Sequence, residues 1–580
     1  MKKFLPMILI VFAMAAVACG GGSDTGPAPA GASDATPGSA IGEGGGTSAD
    51  PITEPSSGGV LRRLWADPPT LDPHLTTDTT SAGIVVEIFS GLVSFNTDLQ
   101  LVPDIAESWS IDNGVIYTFK LREGVTFHNG RPVTAHDFKW SIERAANPST
   151  ASPVADTYLN DITGFQAYVE GRASEITGVK VIDDLTLQIT IDAPIAYFLA
   201  KLTYPTAFVL DRETVEAGGR SWWVDDAVGT GPFKVREYRI GDRLILERFA
   251  NYYREPAKVD VVQMNLAGGQ SMAMYDNDEI DITGVGLFDL DAVLDPGDPR
   301  NKELVIAPPG FDVFYIGFNP TMPPFDDVKF RQALNHAVNK ELIARDVLSD
   351  LVHPAYGVLP PDFPGFNPDL VGLRYDPDKA QQLLAQSKYA GFLSSVESGS
   401  LFYDSAQRYL AGAASAGAGN LPRITLSVPG TGGTIGLDVE VILQMWRQVL
   451  GVEVDIEQVE WATFLEDLNR KKFQAYTSGW EADYPDPQDF LDILFHSDSS
   501  INHGNYSNPA VDAILEEARI EQDPARRIEL YQRAEQMIVD DAAWLPRWYT
   551  GEQYVLIKPH VKGYVLTPMI ISKLKYVSVQ

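Results

Sequence analysis

The chain has 580 residues, 44% of them hydrophobic and 10% aromatic, with 45 basic against 78 acidic side chains for a formal net charge of −33. That length and composition suit a globular protein of several domains with large cores and exclude a disordered one. The acidity, with no Lys/Arg cluster to offset it locally, argues against nucleic acid, whose phosphates it repels; it is compatible with cationic or zwitterionic ligands and equally with a merely soluble surface.

Lys2 and Lys3 precede an apolar run from Phe4 to Val17, too short for an ordinary transmembrane helix, so residues 1–18 read as an export signal. Cys19 is the only cysteine, which excludes an intramolecular disulfide and a cysteine-based zinc site. Ala16-Val17-Ala18-Cys19-Gly20 resembles a bacterial lipobox, in which the cysteine is lipidated and becomes the mature N-terminus. Ala16 stands where leucine is most usual, and plain secretory cleavage is the alternative. Residues 19–57, rich in Gly, Ser, Thr, Ala and Pro, bury too little to offset the entropy of ordering and read as a lipid-attached flexible linker. No later stretch reaches the roughly 18 apolar residues of a spanning helix.

Order begins with a strand at Gly59 to Leu64, followed by a turn at Leu71 to His74 and helical spacing from Ile84 to Leu92. Val115 to Arg122 alternates with period two, as a half-buried antiparallel strand does, and Asn129-Gly130 is a hairpin signal in its continuation. Thr134 caps a helix through Phe138, Trp140 and Ile142. Helices are also expected from Asp326 to Val338, from Tyr375 to Gln386 and from Leu437 to Leu450, and a strand from Ile424 to Val428. Between Gln386 and Asn420 the Ser, Gly and Ala content marks a surface insertion.

The runs Pro103 to Trp109, Tyr117 to Val125 and Phe127 to Asp137 look like the signature region of the peptide/nickel class of ABC-transporter solute-binding proteins. Gly229-Thr230-Gly231-Pro232-Phe233, Asn251-Tyr252-Tyr253, Phe330 to Leu334, Gly479 to Pro487 and Asn505 to Asp512 extend the resemblance toward the oligopeptide-binding branch, over roughly residues 59–580. It implies an α/β, periplasmic-binding-protein-like two-lobed fold (type II, the large class with an extra inserted domain). Residues 58–100, 207–309 and 543–580 would form a discontinuous first lobe, 101–206 the inserted domain and 310–542 the opposing ligand-binding lobe. The mixed helices and strands, without strict βα alternation, agree with this.

Gly479-Trp480-Glu481-Ala482-Asp483-Tyr484-Pro485-Asp486-Pro487 reads as a stiff loop between a strand and a helix, where aromatics and carboxylates are more apt to face a ligand than to fill a core. A carboxylate there can hold an ammonium by a charge-assisted hydrogen bond, worth about 1.5–3 kcal/mol. By resemblance, Asp483 matches the residue that receives a peptide's α-amino group, and Trp480 and Trp461 match the aromatic lining; Tyr484 is a further candidate from its place in the loop. Thr77, Thr79 and Gly479 lie where main-chain groups clasp an added strand, with Tyr158 a weaker match. Core packing is the competing reading for both tryptophans. The basic position that receives the peptide carboxylate in well-known oligopeptide binders, shortly before Gly479, is here Ala475-Tyr476-Thr477-Ser478, so the far end of the ligand has no partner.

Other motifs are weak. The glycines from Gly430 to Gly436 have the spacing G-x-G-x-x-x-G, with Glu453 and Asp455 in the next strand, and fit a plain strand-to-helix loop at the ligand cleft better than a dinucleotide loop. Glu481, Asp483, Asp486 and Asp489 lack the glycine of a calcium loop, and His74, His128 and His136 have no i,i+4 partners. The implied function is capture of oligopeptides, as a monomer, for an ABC permease and its ATPases. The protein would sit on the outer face of the cell membrane by its lipid or in the periplasm, without catalytic residue, metal or cofactor. The alternatives are another solute (a nickel chelate, an oligosaccharide or another amine), a secreted hydrolase, for which no nucleophile motif is present, and a structural or chaperone-like lipoprotein.

Overall fold

The computed structural model describes residues 58–391, 421–431 and 435–580. The expected export signal, Cys19, the linker, most of the surface insertion and the centre of the Gly430–Gly436 loop lie outside the described residues.

Alternating apolar positions build four sheets of three or more strands among the described residues, beside two two-stranded ones. The first has the order Val60–Leu64, Val261–Asn265, Arg243–Arg248, Phe233–Arg239, with its outer pair Val60–Leu64 and Val261–Asn265 parallel. Its core includes Leu61, Ile84, Trp222, Phe233 and Leu244. The second is antiparallel, Ala106–Asp112, Ile116–Leu121, Thr186–Thr190, Val179–Asp183. The third has six strands in the order Val352–Pro354, Trp544–Thr550, Asp312–Phe318, Ala475–Glu481, Thr425–Pro429, Asp455–Val459. A three-stranded sheet joins Ile282–Gly284, Gln553–Ile557 and Leu304–Ala307.

The expected first lobe begins its last segment at residue 543, and the strand that follows pairs with one of the expected opposing lobe. Trp544–Thr550 pairs along Asp312–Phe318 inside the six-stranded sheet. Tyr315 stacks on Trp544 with ring centroids 3.4 Å apart, and Phe314 on Trp548 at 3.9 Å. Those aromatic pairs hold the strand to that sheet, so the chain leaves it only after Thr550.

Local capping chemistry sets the helix starts. Asp78 accepts from the Ser81 amide and begins the helix Thr79–Ile88 earlier than its apolar spacing suggests. Thr134 and Asp137 form a capping box for Ala135–Ala146. Asp327 caps Val328–His336 and Asp376 caps Pro377–Gln386. The helix Leu437–Leu450 follows the glycine loop and ends at Gly451, whose φ of +65° is the left-handed conformation glycine adopts most easily. The first residues of the expected insertion are packed: Tyr389 and Ala390 are buried, and the Tyr389 hydroxyl donates to Asp326.

Candidate functional site

The strand Ala475–Glu481 carries the site. One edge pairs with Asp312–Phe318 over its full length, Ala475 opposite Phe318 and Glu481 opposite Asp312. The other edge pairs with Thr425–Pro429 only at Ala475 and Tyr476. Among the described residues, no strand covers that edge from Thr477 to Glu481. Gly479, Trp480 and Glu481 are therefore strand, not loop, and the loop proper runs from Ala482 to the helix Gln488–Phe495.

That edge faces a cavity of about 1630 Å³, counting the space at its mouth. Asp483, Trp480, Gly479, Trp461, Thr77, Thr79 and Tyr158 all line it. Tyr484 does not. It has no exposed surface, its hydroxyl donates to Gln488 Oε1 at 2.5 Å, and it packs in the same apolar cluster as Phe363 and Phe490. The difference arises in the loop, where the backbone bends from Asp483 to Asp486 and seats Tyr484 against Gln488. The glycine loop is also elsewhere: Gly430, Thr431, Ile435 and Gly436 are absent from the cavity wall. The two acids of the next segment are ion-paired, Glu453 with Arg447 and Asp455 with Arg423, each at 2.6 Å.

Asp483 is braced from two sides. The Tyr158 hydroxyl donates to its Oδ2, and Tyr158 itself stacks on Tyr204, centroids 3.7 Å apart and planes within 3°. The Asp483 amide donates to Asp489 Oδ2 at 3.0 Å, and the Trp480 indole N–H reaches the same oxygen at 3.3 Å. Asp489 thus fixes the loop from the first turn of the following helix, while Asp486 is held by Arg527 through two bonds of 2.5 and 2.9 Å. Burial raises the Asp483 carboxyl above the ordinary carboxylate range, and the Tyr158 bond opposes the shift. Asp489 is raised by burial and then by the neighbouring Asp483 charge. A carboxylate so deprived of water gains more from an arriving cation than an exposed one does. Among the described residues, no group of three or more His, Cys, Asp or Glu is arranged to hold a metal ion.

Several wall residues are not among the expected site residues. Tyr204, Asp104, Arg254, His503 and Lys575 line the cavity. Arg254 Nη1 pairs with Asp104 Oδ1 at 3.2 Å. His503 is held neutral, its pKa pushed down to about 3 by burial and by Lys471. Lys575 lies over the rings of Tyr252 and Tyr576, 5.6 and 5.1 Å from their centroids. No ion pair within 4.0 Å joins it to a described carboxylate. It reaches the wall from the C-terminal segment, far in sequence from Gly479 to Pro487, which is why spacing alone does not find it.

The family model for bacterial extracellular solute-binding proteins, family 5, matches residues 100–502. The chain is 30% identical over 526 residues to the periplasmic oligopeptide-binding protein OppA of Escherichia coli, covering 87% of this chain and 89% of that protein. It is 32% identical over 513 residues to the probable deoxycholate-binding periplasmic protein YgiS of Escherichia coli, covering 86% and 89%. It superposes on the Escherichia coli murein tripeptide binding protein MppA with a TM-score of 0.77 and 25% identity, over 91% of this chain and 99% of that one. The fold is the two-lobed type II fold of periplasmic binding proteins, and the chain belongs to the bacterial extracellular solute-binding proteins, family 5, the peptide/nickel class of ABC-transporter solute-binding proteins.

Proposed function

We propose that the protein captures oligopeptides outside the cytoplasm and delivers them to an ABC permease. The observation that carries this reading is the uncovered strand edge from Thr477 to Glu481, which runs on to the half-buried carboxylate of Asp483. A peptide laid along that edge makes main-chain bonds that do not depend on its sequence. Its ammonium meets Asp483, with Trp480, Trp461, Thr77, Thr79 and Tyr158 as walls. Lys575, free of a carboxylate partner among the described residues, is the receiver for the far carboxylate. In this reading the ligand's two ends are held by opposite lobes. The lobes comprise residues 58–100, 207–309 and the segment after Thr550 on one side and 310–550 on the other, with 101–206 inserted. Closure then proceeds by rotation of one lobe on the other. The receptor acts as a monomer tethered by lipid at Cys19, performs no reaction, and meets its permease on the outer face of the membrane.

The likeness to a probable deoxycholate-binding protein supports a second reading, and the apolar wall (Phe95, Phe208, Leu465) suits a steroid. A bile acid, however, brings no ammonium to Asp483 and no main chain to pair with the uncovered strand edge.

Calorimetry decides between these readings. A tripeptide is expected to bind, its N-acetylated form to bind more weakly, and Asp483→Asn to reduce tripeptide affinity about 10- to 100-fold with folding intact. Binding of deoxycholate but of no peptide overturns the peptide reading.

A further inference from the structure

Four carboxylates line the cavity: Asp78, Asp104, Glu481 and Asp483. Three have donors. Asp78 accepts from the Ser81 amide, Asp104 from Tyr253 and Arg254, and Asp483 from Tyr158. Glu481 is different. No hydrogen bond or ion pair joins its half-buried carboxylate to another described residue. Asp312, opposite it in register, accepts instead from the Thr550 amide at 2.8 Å. Lys573, the one cation acting on Glu481, directs its Nζ to Thr567 Oγ1 at 3.2 Å.

A carboxylate withdrawn from water, beside two other carboxylates and without a donor, is costly to the protein alone. It becomes favourable when the ligand supplies the missing charge. Glu481 is also two residues before Asp483, on the uncovered strand edge, so both acids act on the same end of a bound chain. We infer that Glu481 receives a second cationic group of the ligand, so that the site selects peptides with a lysine or arginine side chain within their first three residues.

This inference rests on the peptide reading above. Burial first, then Asp312 and Asp483, push the Glu481 carboxyl up to about 8. At neutral pH it is largely protonated, and a ligand cation must displace that proton. Preference for a basic side chain therefore grows as pH rises through that value.

The test is calorimetry of the purified full chain with Ala-Ala-Ala, with Lys-Ala-Ala, Ala-Lys-Ala and Ala-Ala-Lys, and with the norleucine counterpart of each lysyl peptide. At least one lysyl peptide is expected to bind about tenfold or more tighter than its norleucine counterpart. The advantage should be larger at pH 9 than at pH 6. Glu481→Gln should reduce that advantage to about twofold or less, judged as the ratio of lysyl to norleucyl affinity within the variant, with Ala-Ala-Ala measured alongside as the reference. Proton release on binding the favoured peptide, read from heats in two buffers of different ionisation enthalpy, tests the wild type without any variant. Lysine and norleucine peptides binding alike, or a lysine advantage that survives Glu481→Gln, overturns the inference and leaves the peptide reading standing. Failure of every peptide, Ala-Ala-Ala included, overturns the peptide reading itself.

Discussion

At the scale of single residues, burial holds the carboxyls of Glu481, Asp483 and Asp489 above their ordinary range, and Asp489 braces the loop that carries Asp483. Its Oδ2 satisfies two donors, the Asp483 amide and the Trp480 indole. Asp489→Ala leaves both unsatisfied, at about 1–3 kcal/mol each, and should lower the urea midpoint accordingly. Asp489→Asn keeps an acceptor and removes a buried charge, so it should stay within about 1 kcal/mol of wild type at neutral pH. The pH dependence has a definite sign. A carboxyl whose folded pKa lies above its unfolded one leaves the native state holding more protons, so stability falls as pH rises through that window. Glu481 sets such a window, from the ordinary value of 4.5 to about 8, and Asp489 adds to it in the same direction. Urea midpoints across that range should fall less steeply for Asp489→Asn than for wild type; an unchanged slope removes Asp489 from the account.

At the scale of elements, the strand Ala475–Glu481 depends on close packing at Gly479. A Cβ there would come within 2.8 Å of the Phe314 ring, which is stacked on Trp548 at 3.9 Å. The substitution Gly479→Ala must therefore shift that ring or bend the strand. Destabilisation of about 1–3 kcal/mol is expected from such overpacking, with weaker peptide binding because the same strand offers its other edge to the ligand. Wild-type affinity in Gly479→Ala would show that the edge does not clasp the ligand. The sequence marks this stretch clearly by its glycine, aromatics and prolines. It does not reveal where strand gives way to loop, because that follows from pairing with Asp312–Phe318, more than a hundred residues away.

At the scale of the molecule, the contact between Tyr158 and Asp483 joins two regions built on different sheets. Ser500 adds to it, donating to the Pro153 carbonyl at 3.0 Å and lying 3.2 Å from Thr157 Oγ1. Tyr158→Phe keeps the stack on Tyr204 but loses the bond to Asp483. Its ligand-free form should be more open, with a larger radius of gyration by small-angle X-ray scattering, and saturating peptide should restore the wild-type value. Equal dimensions in the ligand-free state would remove this contact from lobe closure. Peptide at about one hundred times its dissociation constant should also stabilise wild type by about 2.7 kcal/mol, through binding to the folded state alone.

The sequence by itself determined the family and, with it, the α/β two-lobed fold, because the signature runs from Pro103 to Asp137 and from Gly479 to Pro487 are local and ordered. Caps such as Thr134 with Asp137 were legible for the same reason: their chemistry acts within one turn. Tertiary structure decided what depends on distant pairing. It set Tyr484 into the core although it adjoins Asp483, since a side chain's face follows from how the backbone is seated, not from its neighbour's role. It drew Trp544–Thr550 into the six-stranded sheet through aromatic stacking that no spacing announces. It brought Lys575 to the cavity wall from the C-terminal segment and left Glu481 there without a donor. Whether a charge is paired depends on which chains surround it, and folding alone assembles that neighbourhood.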